Sequence, residues 1–180
     1  FQILALSGGG YRGLYTAAIL AELENALGAR IARCFDLIAG TSVGGILALG
    51  LALEIPAAQL VILFECHGNE IFKRQFSLWG FLRARYGTTC LRDLLSQPDL
   101  FGDRLLGSAL HRVVIPAINY SSGVPVMFKT DHHPNFATDY RRSIVDIALA
   151  TSAAPFYFRR HIFNHNQYID GGLFANAPGL

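Results

Sequence analysis

The sequence predicts an α/β fold built around a parallel sheet. Two short apolar runs, FQILALS at 1–7 and FDLIA at 35–39, are each followed by a glycine-rich loop and then by a helical pattern. Apolar runs of this length that end in glycines are typical of buried parallel strands. With 180 residues, 52% of them hydrophobic, the chain is long enough for one layered domain. Because consecutive βα units place their loops at the same edge of a sheet, the two glycine-rich loops are expected to face each other.

The charge and cysteine content exclude several classes of protein. The formal net charge is only +2 and the basic residues form no run, so no nucleic-acid partner is expected. Cys34, Cys66 and Cys90 are odd in number and form no Cys-x-x-Cys pair, which predicts reduced thiols in a cytoplasmic protein. The longest apolar run, residues 46–53, is well short of the roughly 18 residues that a membrane-spanning helix needs. Any membrane contact is therefore expected to be peripheral.

The second glycine-rich loop carries a serine in the pattern Gly-x-Ser-x-Gly, from Gly40 to Gly44. On a sharp turn from strand to helix, the positions two before and two after the serine come too close for side chains, and the backbone of the serine itself is strained. Such a turn presents the hydroxyl of Ser42 at a helix N-terminus, where free N–H groups favour an oxyanion. Ser42 is therefore a candidate nucleophile, although the same pentapeptide also fits an ordinary turn.

The first glycine-rich loop contains Gly8, Gly9 and Gly10. Three consecutive glycines leave backbone N–H groups uncovered beside a helix N-terminus, so they can form an oxyanion hole for a carbonyl held by Ser42. Arg12 in the same loop either supplies positive charge for a phosphate or braces the loop.

This loop also satisfies the dinucleotide fingerprint, as Gly8-x-Gly10-x-x-Gly13. That motif expects an acidic residue at the carboxyl end of the second strand to bind a ribose. Here Asp36 lies at the opposite end of that strand. A dinucleotide-dependent oxidoreductase therefore remains only as an alternative.

Residues 57–86 are predicted to be helical and then irregular, with aromatic and basic side chains interleaved. This composition suits either an amphipathic helix with its aromatics in the core or a patch that contacts anionic lipid. Short helices are expected at 91–95, 103–111 and 143–150. Runs at 112–120 and 124–130, separated by Ser-Ser-Gly, predict a hairpin of antiparallel strands.

A short strand at 168–169 delivers Asp170 to a turn that continues with Gly171 and Gly172. A carboxylate followed by bare backbone allows a second loop to approach closely. A serine nucleophile needs a base within hydrogen-bond reach, and Asp170 is the candidate that a direct Ser-Asp dyad would use.

The histidines suit two other kinds of site. In a Ser-His-Asp triad, the histidine and its acid would come from His161 or His165 with Asp139 or Asp146. The Asp-His-His run at 131–133 resembles a metal site, but adjacent loop residues point apart and no further ligand follows at the usual spacing. A solvated loop is expected there, with no metal and no cofactor.

Three motifs occur in order along the chain: GGGYRG from Gly8, GTSVGG from Gly40 and DGG from Asp170, with SAAP before the last. In this order they resemble the patatin-like phospholipase family. The resemblance implies one catalytic domain over 1–180, with a three-layer α/β/α fold and a mostly parallel central sheet. It further implies Ser42 as nucleophile with Asp170 as its partner, the loop at 8–10 as oxyanion hole, lipid acyl esters as substrates and no metal.

Members of this family usually continue beyond the DGG motif, so the chain is expected to be truncated at its C-terminal end. Some bacterial members are nucleotide-triggered effectors that degrade membranes, which adds an alternative for regulation. A catalytically silent lipid-binding module is a further alternative. Many members have alanine where this chain has Gly172.

Overall fold

The computed structural model describes residues 1–71 and 88–179. Its strands are β1 (Ile3–Leu6), β2 (Leu37–Gly40), β3 (Val113–Asn119), β4 (Val124–Lys129), β5 (His161–Phe163) and β6 (Asn166–Asp170). Its helices are α1 (Gly13–Leu27), α2 (Val43–Ala52), α3 (Ala57–Ile71), α4 (Thr88–Leu95), α5 (Ile144–Thr151) and α6 (Gly172–Ala175), with short 3-10 turns at Gly10–Arg12, Ile31–Cys34, Leu106–Ser108 and Pro134–Phe136. The part of the predicted aromatic and basic stretch between 72 and 86 lies outside the described residues.

The described strands form one mixed sheet. β1 and β2 are parallel neighbours, as the two predicted βα units require. β3 also runs parallel to β2, which corrects the expectation that the run at 112–120 adds only an antiparallel strand beside the parallel pair. β4 pairs antiparallel with β3, which confirms the predicted hairpin, and β6 pairs antiparallel with both β3 and β5. Helices pack on this sheet, so the predicted α/β class is confirmed.

One edge of β3 is shared by two strands in succession. β2 pairs with Val113 and Val114, and β6 pairs with the segment from Ala117 to Asn119. Both lie on the same edge, because β4 occupies the other edge of β3. β2 runs parallel to β3 and β6 runs antiparallel to it, so their carboxyl ends approach each other head to head at Pro116. The loops that follow β2 and β6 therefore meet there.

Helix α2 lies at the centre of the core. All ten of its residues are buried. It packs on β1, β2 and β3 and also contacts α1, α3 and α5. Its sequence, VGGILALGLA, contains no polar side chain, as expected for a helix that protein surrounds on every side.

The predicted helix at 103–111 is wrong. Only a 3-10 turn at Leu106–Ser108 forms there. The backbone of this segment bonds instead to the loop before α5, with Leu106 N donating to Arg142 O at 2.8 Å and Gly107 N donating to Tyr140 O at 2.8 Å. These tertiary hydrogen bonds replace the local bonds that a helix would make.

Strand β5 is not predicted from the sequence, and β6 begins earlier than expected, at Asn166. The two residues that join these strands, Asn164 and His165, have φ of 47° and 61°. A two-residue turn of this kind is usually signalled by Asn-Gly, which the chain lacks here.

Candidate active site

Ser42 lies on a strained turn between β2 and α2. Its backbone has φ of 57° and ψ of −128°. Residues other than glycine rarely adopt a positive φ. A Cβ on Gly40 would collide with the carbonyl oxygen of Gly44, and a Cβ on Gly44 would collide with that of Leu6. Both glycines of the Gly-x-Ser-x-Gly pattern are therefore required by close backbone approach, as the sequence predicts.

The structure brings Ser42 and Asp170 into contact across 128 positions of sequence. Ser42 Oγ donates a hydrogen bond to Asp170 Oδ2 at 2.6 Å. The other carboxylate oxygen, Oδ1, accepts from the N–H of Gly172 at 2.6 Å. Asp170 is the last residue of β6 and is only 5% exposed. The carboxylate is thus oriented with one oxygen towards the serine.

Burial raises the pKa of Asp170 above its ordinary value, because the charged form loses solvation. The hydrogen bonds from Ser42 and Gly172 act in the opposite direction, since they stabilise the carboxylate. The net upward shift makes Asp170 a stronger base than an aspartate in water, as removal of a proton from a serine hydroxyl demands.

The glycine loop approaches Ser42 as predicted, but its three amides differ. Gly8 N donates to Asn176 O at 3.0 Å, so this amide is already engaged in the structure. A Cβ on Gly8 would lie 3.1 Å from Ser42 Cβ, so its absence permits the close approach of the two loops. Within the described residues, the amides of Gly9 and Gly10 make no hydrogen bond. These two remain the available donors of the loop.

Arg12 makes the bracing contact that the sequence allowed. Its Nε donates to Gly9 O at 3.4 Å, and the side chain also lines the cavity over the serine. A role in binding a phosphate stays a prediction.

A cavity of about 590 Å³ opens over Ser42 and Asp170. Gly9 and Gly10 form part of its wall beside the serine. Most of the remaining lining is apolar, contributed by Val43, Ile46, Phe64, Leu91, Ala154, Pro155, Phe156, Phe158 and Leu173. An apolar cavity with a few convergent polar groups at one point suits a ligand that is largely hydrocarbon.

A family model described as patatin-like phospholipase matches residues 4–179. The chain belongs to this family. It is 51% identical to a cGAMP-activated phospholipase from Pseudomonas aeruginosa, over 100% of this chain and 55% of that protein. It is 40% identical to a cGAMP-activated phospholipase from Escherichia coli, over 98% of this chain and 53% of that protein. The chain thus spans about half the length of the curated relatives that it matches.

The fold is similar to that in the crystal structure of VipD from Legionella pneumophila, with a TM-score of 0.66 at 14% identity. The match covers 96% of this chain and 46% of that one. Among residues 1–71 and 88–179, no helix combines the length and the apolar content needed to span a bilayer.

The histidines of the alternative Ser-His-Asp triad do not contact Ser42. His161 Nε2 lies 2.9 Å from Asp146 Oδ1, and this aspartate also accepts from Arg92. His165 is exposed in the turn between β5 and β6. Neither histidine lines the cavity, and the hydroxyl of Ser42 is already engaged by Asp170.

Among the described residues, the candidate acid of a dinucleotide site and the Asp-His-His run each make other contacts. Asp36, the acid that a dinucleotide site would need, precedes β2 and accepts from Gln2 N at 2.6 Å, at the end of the strand remote from Ser42. His132 in the Asp-His-His run lies 2.9 Å from Thr130 Oγ1, and the described part of the chain holds no group of three or more metal-ligating side chains.

Two residues at the site were not assigned a role from the sequence. Asn176 lines the cavity and holds Gly8 through its carbonyl. Thr151 bonds to the backbone of Ser42. The only signal was their proximity to the SAAP and DGG motifs, and neither residue type points to catalysis by itself.

Proposed function

We propose that this protein is a serine acyl hydrolase that cleaves fatty-acyl ester bonds of phospholipids or other lipids. The observation that carries the proposal is the 2.6 Å hydrogen bond from Ser42 Oγ to Asp170 Oδ2 at the base of an apolar cavity. A hydroxyl paired with a buried carboxylate supports nucleophilic attack, and the apolar wall supports an acyl chain as the group that is bound.

Catalysis by this pair proceeds through an acyl-enzyme. Asp170 takes the proton of Ser42 as Oγ attacks the ester carbonyl carbon, and the amides of Gly9 and Gly10 stabilise the oxyanion. The intermediate collapses when the bond to the alcohol breaks and Asp170 gives its proton to the leaving oxygen. Water activated by Asp170 then attacks the acyl group, which releases the fatty acid and restores the serine.

The test uses a water-soluble short-chain ester and a fluorophosphonate probe. Ser42→Ala and Asp170→Asn are each expected to abolish hydrolysis, and Ser42→Ala to abolish labelling, while circular dichroism shows an intact fold. His161→Ala is the control. It is expected to retain turnover because the dyad does not use this histidine, whereas a Ser-His-Asp triad would lose activity. Hydrolysis by either dyad variant would overturn the proposal, and an unlabelled wild type would favour a silent lipid-binding module.

The mouth of the cavity supports peripheral contact of a cytoplasmic protein with a bilayer. Phe156 is 87% exposed and Leu173 is 62% exposed, and both line the cavity. Phe156 also has φ of 67°, a strained conformation for an aromatic residue. Arg12 is exposed beside them. Apolar side chains next to a cation suit the surface of an anionic membrane.

Two leucines offer a matched test of this contact. Leu173→Ala is expected to weaken binding to vesicles of anionic phospholipid by about tenfold, because the variant buries less apolar surface. Leu110→Ala is the control: Leu110 is 68% exposed, but its N–H bonds to Ala52 at the far end of α2 from Ser42. Both variants also carry Ser42→Ala, so that they do not hydrolyse the vesicles while binding is measured by sedimentation. Equal binding by the two variants would contradict membrane contact at the cavity mouth.

The similarity to phospholipases named as cGAMP-activated supports control of this protein by a cyclic dinucleotide. The full-length protein is then expected to hydrolyse phospholipid vesicles faster with cGAMP than without it. Equal rates would contradict this control by cGAMP and leave the hydrolase proposal intact.

A further inference from the structure

Thr151, the last residue of α5, lies fully buried between the two halves of the site. Its Oγ1 accepts a hydrogen bond from the backbone N–H of Ser42 at 3.0 Å. The same hydroxyl donates to the carbonyl oxygen of Pro116 at 2.6 Å. One side chain thus connects the serine turn to the central strand β3.

The end of α5 also holds the aspartate half of the site. The carbonyl oxygen of Thr151 accepts from Gly171 N at 3.3 Å, and that of Ala153 accepts from Asp170 N at 3.0 Å. Both halves of the Ser-Asp pair are therefore bonded to a single turn of chain, which begins at Thr151.

The sheet itself leaves a gap at this point. β2 and β6 approach head to head on the edge of β3 and do not pair with each other. Between them lies Pro116, which has no N–H and whose carbonyl is met by the Thr151 hydroxyl instead of a strand amide. The gap lies directly beside the strained backbone of Ser42, so something other than a strand must hold that residue in place.

We propose that Thr151 is a positioning residue that holds Ser42 at hydrogen-bond distance from Asp170. The inference rests on the proposed function of that pair. It also excludes the Ser42 N–H from the oxyanion hole, because this amide is bonded to Thr151 Oγ1. The oxyanion is then left to the amides of Gly9 and Gly10 and to the N-terminus of α2.

The two polar groups that Thr151 satisfies make the hydroxyl, rather than the shape of the side chain, the essential feature. Valine has the same shape but leaves Ser42 N and Pro116 O without partners in a buried site. Serine keeps the hydroxyl and loses only the methyl group. A matched control is Thr130, which is also buried. Its Oγ1 accepts from Val113 N at 3.1 Å and lies 2.9 Å from His132 Nδ1, so its hydroxyl bonds to groups outside the serine turn.

The experiment compares Thr151→Val, Thr151→Ser and Thr130→Val in the full-length protein on the water-soluble ester. Thr151→Val is expected to lower kcat by about 10- to 100-fold with little change in KM, because the reacting atoms are misplaced rather than the substrate lost. Thr151→Ser is expected to restore kcat. Thr130→Val is expected to lower the melting temperature about as much as Thr151→Val does, and to leave kcat near that of wild type.

A pH profile separates positioning from simple loss of stability. The hydrogen bond from Ser42 lowers the pKa of Asp170, so a displaced Ser42 lets that pKa rise. The acidic limb of kcat in Thr151→Val is therefore expected to move to higher pH, and that of Thr130→Val to stay in place. If Thr151→Val does not fold, Thr151→Ala serves, since it also removes the hydroxyl and leaves space for a water.

The proposal is overturned if the folded variant without the hydroxyl keeps the wild-type kcat and pH profile, or if Thr151→Ser is as impaired as Thr151→Val. It is also overturned if kcat falls equally in Thr151→Val and Thr130→Val. Any of these results with an inactive Ser42→Ala variant leaves the hydrolase assignment standing. Hydrolysis by Ser42→Ala would instead remove the proposed function itself.

Discussion

Asp170 has to meet two opposing demands at the scale of a single residue. In the proposed mechanism its carboxylate has to take a proton from Ser42, and burial favours this by raising the pKa of Asp170. The same carboxylate must nevertheless be held in one orientation, which the hydrogen bonds from Ser42 Oγ and Gly172 N achieve. Because the net shift is upward, the ionised form of Asp170 is less favourable in the folded protein than in the unfolded chain.

This imbalance predicts that Asp170→Asn does not lower stability although it abolishes turnover. A raised pKa in the folded state means that ionised Asp170 costs stability above that pKa, and that the cost disappears as pH falls below the unfolded value of about 3.9. The melting temperature of Asp170→Asn is expected to equal or exceed that of wild type at pH 7. Any such excess should shrink towards pH 4 in thermal unfolding followed by circular dichroism. A clear decrease at pH 7 would contradict the sign of the shift.

At the scale of an element, α2 depends on glycines where its backbone is closely approached. Gly44 lies in its first turn against the carbonyl oxygens of Leu6 and Ser7. Gly50 lies near its end against the methyl groups of Leu60, which would be 2.9 and 3.0 Å from a Cβ added at that glycine. The first neighbour is rigid backbone, whereas the second is the end of a flexible side chain.

The two glycines should therefore respond differently to alanine. Gly44→Ala is expected to destabilise the protein by about 3 kcal/mol and to reduce turnover, because either β1 or the serine turn must move. Gly50→Ala is expected to stay within about 1 kcal/mol of wild type, since the gain in helix propensity offsets a small shift of Leu60. Urea denaturation measures both changes. Equal destabilisation by the two variants would contradict the argument that the rigid backbone around Gly44 tolerates a Cβ less well than the side chain of Leu60 does.

At the scale of the whole molecule, a partly buried ionic cluster joins three elements of the fold. His161 on β5 and Arg92 on α4 both contact Asp146 in the first turn of α5. The hydrogen bond from His161 is the main cause of a lowered pKa for Asp146. The cluster ties α4, α5 and β5 together, and α5 in turn carries Thr151 at its other end.

Asp146→Asn is predicted to lower stability in a pH-dependent way. A carboxyl whose pKa is lowered on folding contributes stability above its unfolded pKa, and this contribution is lost as pH falls through the lowered value. The melting temperature of the variant should fall by about 2–4 °C at pH 7, with a smaller deficit in acid. Turnover of the water-soluble ester is expected to persist. A folded Asp146→Asn protein without turnover would instead support the Ser-His-Asp triad.

The sequence by itself determined the local parts of the site. A serine on a strained turn needs glycines at 40 and 44, and an aspartate approached by backbone needs glycines after it, so both features are visible as motifs. The α/β class followed from apolar runs alternating with helical patterns. The wrong helix at 103–111 and the unpredicted β5 show the limit of such local evidence, because distant hydrogen bonds and an unusual turn decided those segments.

Only the tertiary structure decided which residues meet. Ser42 and Asp170 meet because β2 and β6 end head to head on one edge of β3, a contact across 128 positions that no local pattern encodes. The engaged amide of Gly8 and the bridging hydroxyl of Thr151 likewise result from contacts between segments that are far apart in the sequence. The physical reason is that glycines and turns constrain their own neighbours, whereas hydrogen bonds between distant segments are set by the packing of the sheet and its helices.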